Sequence, residues 1–258
     1  MARERRSSFG GYLWEEALPW LGWRGLLRLL VWTGLANGIV YLSVVTDWDP
    51  GWITLGSLDE VIDWVWLFAA LGAIVVTAGP VVGERRRGTA AWVVSQPVSR
   101  PTYVIGKVVA HGLGVAVTMV FVPGLVAYAW LPEVESARGF APPLPPLGRF
   151  LAALGVVALV TTLLVALVVM LGTLLPRRGP VTGIAAILLI FLFVPISGFG
   201  WSKFLPGSLI DWQRPTKLSA VADYIFGGTL PGEAVVVTAA AIVVCTAIAV
   251  VRFRRVEL

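Results

Sequence analysis

Six apolar runs, each close to the roughly 20 residues needed to cross a hydrocarbon core, constrain this chain more than any other feature. They cover residues 26–45, 61–82, 103–131, 150–175, 181–199 and 234–251. Strands of a membrane barrel would alternate apolar and polar positions over about ten residues, whereas these runs are continuously apolar and predict helices. Charged residues are only 14% of the 258 and hydrophobic ones 57%. A water-soluble domain carries about a quarter charged residues. Residues 1–258 are therefore expected to form a single all-α integral membrane domain of six transmembrane helices.

The breakers and charges between the runs set its organisation. Asp47, Asp49 and Pro50 end the first run, the Pro-rich PEVESARGFAPPLPPLGR follows the third, and PRRGP makes the fourth and fifth a helical hairpin. Basic residues fall at every second boundary: Arg3, Arg5 and Arg6; Arg85 to Arg87 with Arg100; Arg177 and Arg178; Arg252, Arg254 and Arg255. The positive-inside rule then puts both termini in the cytoplasm, which an even number of spans permits. That rule also accounts for the net charge of +5 without nucleic acid as a partner. No short apolar core with a cleavage site opens the chain, so no cleaved signal peptide is expected. Residues 1–25 instead combine Trp and Leu with Glu15 and Glu16, and Arg24 and Arg28 sit at the end of this stretch. They read as an interfacial helix along the inner leaflet that bends near Pro19, or alternatively as an irregular apolar lead-in.

Residue chemistry argues against an enzyme. His111 is the only histidine, so no metal cluster or HExxH can form around it. An intramembrane hydrolase pairing His111 with Ser197 of ISGFG is a weak alternative, because the serine lacks the preceding glycine and the histidine comes first. No GxxxxGK[ST] is present, so no catalytic, cofactor or metal site is expected and any ATP must be bound by a partner. Cys245 lies inside an apolar run and reads as a small hydrophobe. Asp63 and Lys107 stand near span ends and are expected to snorkel to the interface. Asn37, Thr77, Thr118, Thr161 and Thr162 are expected to bond neighbouring helices or their own backbone.

The stretch GERRRGTAAWVVSQPVSRPTYVIGK, between the second and third runs, concentrates the remaining information. After Gly83 a short helix from Glu84 to about Ser95 is expected, with Pro97 as its stop. Arg85 to Arg87 would then oppose the dipole at its amino end, so lipid heads or an acidic partner must favour them there; a plain solvated loop is the alternative. The order of residues is more specific than its charge. Glu84, Gly88 and Thr89, Trp92 to Val94, Ser95, Pro97, Ser99 and Arg100, then Tyr103, Gly106 and Lys107 resemble the inter-span segment of ABC-2 type transporter permeases.

That resemblance implies a membrane-spanning permease subunit with a cytoplasmic coupling helix that docks on a separate ATPase. Glu84, Arg85, Arg86, Arg87, Gly88, Thr89, Trp92, Ser95, Gln96, Pro97 and Arg100 would carry the coupling, and Glu84 would be braced by Arg24 or Arg28. The implied partners are an ABC ATPase, a second copy or paralogue of the permease, and the bilayer of the plasma membrane. The substrate path would lie at the dimer interface along the second and fifth spans, with the small residues from Ala69 to Gly79 supporting close approach there. Residues 200–232 would cap it on the outer side. A membrane scaffold that holds a cytoplasmic partner through the same basic segment is the alternative of a different class.

Overall fold

Without water at hand, a backbone must satisfy its own N–H and C=O groups, so the apolar runs fold as helices. The computed structural model describes residues 9–46, 53–86, 99–137, 144–193, 206–210, 220–230 and 232–254. In chain order its helices are α1 (Phe9–Leu21), α2 (Trp23–Thr46), α3 (Ile53–Arg86), α4 (Arg100–Val115), a π-turn (Ala116–Phe121), α5 (Val122–Ala137), α6 (Leu147–Leu174), α7 (Arg178–Phe193), a 3-10 turn (Pro206–Leu209), α8 (Ala220–Ile225) and α9 (Gly232–Arg254). The described residues contain no strand.

Five stretches are long and apolar enough to cross a membrane: Trp23–Thr46, Glu60–Glu84, Arg100–Val134, Leu147–Leu174 and Gly232–Arg254. The run expected at 181–199 is present as the shorter apolar α7, and residues 194–199 lie outside the described residues. The third crossing does not bend at Pro123-Gly124 by breaking. Its helix widens into the π-turn just before Pro123, where the Val122 N–H donates to the Val117 carbonyl. Such a turn absorbs a locally disturbed hydrogen-bond ladder without ending the helix.

The bundle is built around α6, which packs on α3, α4, α7, α8 and α9. Its buried side chains run all the way round, from Phe150 and Leu154 through Val157, Leu164 and Val168 to Leu171. A helix apolar on every face belongs in the centre of a membrane bundle. The outer helices α2 and α9 leave Leu30, Leu42, Val236 and Val243 exposed, surface that suits lipid or another subunit. The small residues of α3 turn inward: Ala69, Ala70, Ala73 and Ala78 are fully buried within the chain. A Cβ on Gly72 would lie 2.5 Å from the Met119 sulphur, and one on Gly79 would lie 3.3 Å from Arg178. The close approach read from this stripe is thus an approach between helices of one chain.

Of the polar pairings expected, those of Asn37, Thr118, Thr161 and Thr162 appear and that of Thr77 does not. Thr118, Thr161, Thr162 and Thr238 each donate to a carbonyl three or four residues back. Asn37 on α2 donates to the Pro123 carbonyl at 3.1 Å and accepts from the Trp130 indole at 2.7 Å. Thr77 is buried with no hydrogen-bond partner among the described residues. Of residues 200–232, Leu209 and Ile210 are buried, the 3-10 turn packs on α7 and α9, and α8 packs on α6. Residues 200–205, 211–219 and 231 lie outside the described residues.

Candidate functional site

The end of the bundle where α3 finishes and α4 begins carries the candidate site. Ser99 caps α4, its hydroxyl accepting from the Thr102 N–H at 3.2 Å, with Pro101 in the first turn. Ser-Arg-Pro-Thr is thus a helix start, with proline where its missing N–H costs nothing. On the other side of the segment, α3 does not end at Gly83. It continues to Arg86, so Glu84 to Arg86 form the last turn of the spanning helix rather than the first turn of a separate one. Arg86 at this end therefore complements the macrodipole instead of opposing it. Arg87, Gly88, Thr89, Trp92, Ser95, Gln96 and Pro97 lie outside the described residues, as does the side chain of Arg85.

Glu84 is tied down by α4. Its Oε1 accepts from Lys107 Nζ at 2.8 Å and its Oε2 from the Tyr103 hydroxyl at 2.7 Å. Lys107 also donates to both oxygens of Glu16 on α1, at 2.9 and 3.0 Å, and Glu16 Oε1 accepts from the Tyr12 hydroxyl at 2.8 Å. Each carboxylate thus holds the same ammonium and one tyrosine. Lys107 is fully buried, a correction to the snorkelling expected of it, because its stem turns inward to two carboxylates instead of outward to water. A buried ammonium is tolerated only when paired and hydrogen-bonded, and this one has three accepting oxygens for its three N–H groups.

The partners of Glu84 are therefore Lys107 and Tyr103 in place of the expected Arg24 or Arg28. Arg28 stands over the Trp20 ring, 4.9 Å from its centroid. Helix α1 is tied to Glu84 instead through Glu16, by way of Lys107. Burial alone would raise the Glu16 carboxyl, yet the Lys107 charge and the bonds from Lys107 and Tyr12 hold it below the ordinary carboxylate value. Burial, then the neighbouring Glu16, pushes the Tyr12 hydroxyl above its usual range.

Sequence sets the docking of α1. Tyr12, Glu16 and Trp20 recur every four residues and so share one face. They meet Gly106, Lys107 and Gly114 on α4, in the same order, so the two helices run in the same direction. A Cβ on Gly106 would lie 2.6 Å from the Tyr12 ring, and one on Gly114 2.2 Å from the Trp20 ring. Only glycine lets these rings sit against the α4 backbone. The helix α1 continues through Pro19, and its break falls at Gly22. His111, 5% exposed, meets Trp20 edge-on at 5.7 Å, and neither of its ring nitrogens has a hydrogen-bond partner among the described residues.

The carboxy-terminal helix joins the same site. Phe253, fully buried, stacks on Tyr103 with centroids 4.9 Å apart and an interplanar angle of 11°. Arg100 donates to the Arg254 carbonyl at 2.6 Å. The sequence pattern had singled out Glu84, Arg100, Tyr103 and Lys107, whereas Tyr12, Glu16 and Phe253 emerge only from the fold.

No group of three or more metal-ligating side chains occurs among the described residues. A bundle of long apolar helices, with one buried ammonium joining two carboxylates where a basic inter-span segment begins, defines a multi-pass membrane protein. The profile of the ABC-2 family transporter proteins matches residues 55–258, and the chain belongs to that family. Membership makes it a membrane-embedded permease component of an ABC transporter rather than a catalyst. No curated protein matches the chain.

Proposed function

We propose that this permease exports an apolar or amphipathic compound from the cytoplasm, driven by ATP hydrolysis on a separate ATPase subunit. It would work in the plasma membrane as a dimer with a second copy or a paralogue, with both termini inside. Residues 85–97 would dock on the ATPase.

The observation that carries this reading is the Glu16–Lys107–Glu84 joint. A pull on the docked segment reaches Glu84 first, and Lys107 has no water to retreat into. The displacement then passes to α1 and α4, and through Tyr103 to the end of α9, instead of dissipating in a loose loop. Coupling of this kind travels through packed, hydrogen-bonded contacts between rigid elements.

The test reconstitutes the full chain in vesicles with a P-loop ATPase subunit and follows co-elution, ATP hydrolysis and movement of a lipophilic dye. Replacing Arg85, Arg86 and Arg87 by Ala should weaken association, with the difference shrinking as salt rises. Glu84→Gln should leave association in place but lower the dye moved per ATP. Unchanged coupling in Glu84→Gln would remove the brace from the mechanism. Stable association without any chain-dependent ATP hydrolysis would favour the scaffold reading.

A further inference from the structure

The third crossing turns outward along one line. Ile105, Leu113, Val117 and Leu125 are exposed, and Ala129 and Glu133 continue the line at intervals of four residues. Four residues overshoot an α-helical turn by about 40°, so over the twelve from Leu113 to Leu125 an unbroken α-helix would carry the outward face about 120° round. The π-turn (Ala116–Phe121) lies between the two leucines. It takes up one residue beyond the α-helical count, which turns everything after it back by about 100°. Leu113 and Leu125 share a face because the turn separates them.

Two residues keep the turn from closing into a plain helix. Pro123 has no N–H to give the Met119 carbonyl, and its ring crowds that carbonyl, so an α-helical ladder cannot run across the turn. Asn37 on α2 then fixes the register of α5. Its Nδ2 donates to the Thr33 carbonyl at 3.0 Å and to the Pro123 carbonyl at 3.1 Å, and its Oδ1 accepts from the Trp130 indole at 2.7 Å. Pro123 and Trp130 are two turns apart and present one face to α2. Tyr41, one turn beyond Asn37, meets the Trp130 ring edge-on at 5.9 Å. On the side of α6, a Cβ on Gly124 would lie 2.7 Å from Leu154. Turning α5 by about 100° would take Pro123 and Trp130 off Asn37 and bring a side chain to where only glycine fits. The α4 half has other anchors: α1 at Gly106 and Gly114, and the Lys107 joint. The crossing is thus two rods held by different neighbours. At their junction Met119 packs against Gly72, and its unbranched thioether can follow a moving turn.

We propose that Asn37 is a positioning residue for transport, holding α5 in the register set by the π-turn so that the third crossing flexes at residues 116–121 when α4 is moved from the Lys107 joint. The role in transport rests on the function proposed above, whereas the register does not. With α5 held by α2 and α6, movement of α4 is taken up at the turn and reaches the far half of the bundle as a change of angle rather than a slide of the whole helix.

The test has two arms. In the first, the full chain without any ATPase carries spin labels through Leu113→Cys and Leu125→Cys, with Cys245→Ala, and the label separation is read in lipid nanodiscs. Labels on one face should give a single short distance, near the roughly 16 Å rise of eleven α-helical residues. Asn37→Leu with Pro123→Ala lets the ladder close, and the labels should part as α5 turns. If that double variant does not fold, Pro123→Ala alone should add a second, longer distance. Asn37→Gln, which keeps the amide, should retain the short one. In the second arm, the chain is reconstituted with the ATPase. Asn37→Leu should lower the dye moved per ATP about fivefold, the weight of one lost hydrogen bond, and Asn37→Gln should restore most of it. A long distance in the unsubstituted background, or an unchanged one in the folded double variant, would overturn the register. Dye moved per ATP equal to wild type in Asn37→Leu would leave Asn37 a stabilising contact and overturn its role in transport. A wild type that moves no dye would remove the transport reading and that role with it, while the label distances still decide the register.

Discussion

Lys107→Met removes the ammonium while keeping an unbranched, largely apolar stem. In the wild type, Nζ stands within 3.0 Å of oxygens on both Glu16 and Glu84. The two carboxylates are therefore no more than about 6 Å apart, and at an effective dielectric near 20 they would repel by about 3 kcal/mol once the cation is gone. Removing one partner of a buried pair costs about 3–5 kcal/mol in measured cases. The carboxylates here keep 17% and 22% of their side-chain surface in contact with solvent. Water relieves part of the repulsion, so we expect a loss of about 2–4 kcal/mol.

Unfolding by SDS titration in mixed micelles, followed by tryptophan fluorescence, measures this loss. The informative comparison is with the triple variant Lys107→Met, Glu16→Gln, Glu84→Gln. If charge is the cause, neutralising both carboxylates should recover most of the lost stability, a coupling that single substitutions cannot show. A Lys107→Met midpoint equal to wild type would refute the reasoning. So would a triple variant no more stable than the single one, because the loss would then come from packing.

Three further outcomes are expected. Gly114→Ala should loosen α1 at a cost of about 1–3 kcal/mol, since its Cβ would lie 2.2 Å from the Trp20 ring, whereas Gly155→Ala, with open space around it, should be neutral or mildly stabilising. Limited proteolysis of α1 distinguishes them, and equal cleavage in both variants would contradict the docking described. Ser99→Ala should cost about 1 kcal/mol and speed hydrogen exchange in the first turn of α4, including the Thr102 amide that loses its acceptor. The Glu16 carboxyl lies lower folded than its ordinary value of 4.5. The stability it contributes is therefore complete above that value and is lost as pH falls through the lower folded value. Tryptophan fluorescence between pH 6 and 3 should show α1 releasing at the acidic end in the wild type, with the transition flattened in Glu16→Gln. Superimposable profiles would count against Glu16 as the titrating group.

Five of the six expected spans were legible in the sequence because continuous apolar length is a local property, and so were polar residues such as Thr118 and Thr161 that bond their own helices. The site was legible by half. Glu84, Tyr103 and Lys107 announced themselves by their order around a basic segment. Glu16 did not, because its pairing with Lys107 crosses 91 residues and depends on which face of α1 meets which face of α4. The signal existed in retrospect as two matched spacings: Tyr12, Glu16 and Trp20 on one helix, and Gly106 and Gly114 flanking the register of Lys107 on the other. Small residues such as Ala69 and Ala73 show that something comes close but not what. A neighbour in the same chain and a second subunit leave the same stripe.

The extension of α3 to Arg86 changes what Glu84 must do. A carboxylate in the last turn of a helix sits at the negative end of the macrodipole, a cost of about 0.3–1 kcal/mol, whereas a cation such as Arg86 is favoured there. Glu84 is thus the one charge at this end that its own helix disfavours, and it is kept in place by Lys107 and Tyr103 on α4. Glu84→Gln relieves the dipole cost and weakens the tie, and the second effect should be the larger because Lys107 is fully buried. The last turn of α3 should then become more regular as a helix while the bundle as a whole loses stability. Hydrogen exchange resolved along residues 80–86, set beside the global unfolding midpoint, separates the two. Slower exchange in that turn with a lowered midpoint fits a helix end held under opposing pulls; faster exchange would mean that Glu84 supports its own helix and the joint carries no such tension.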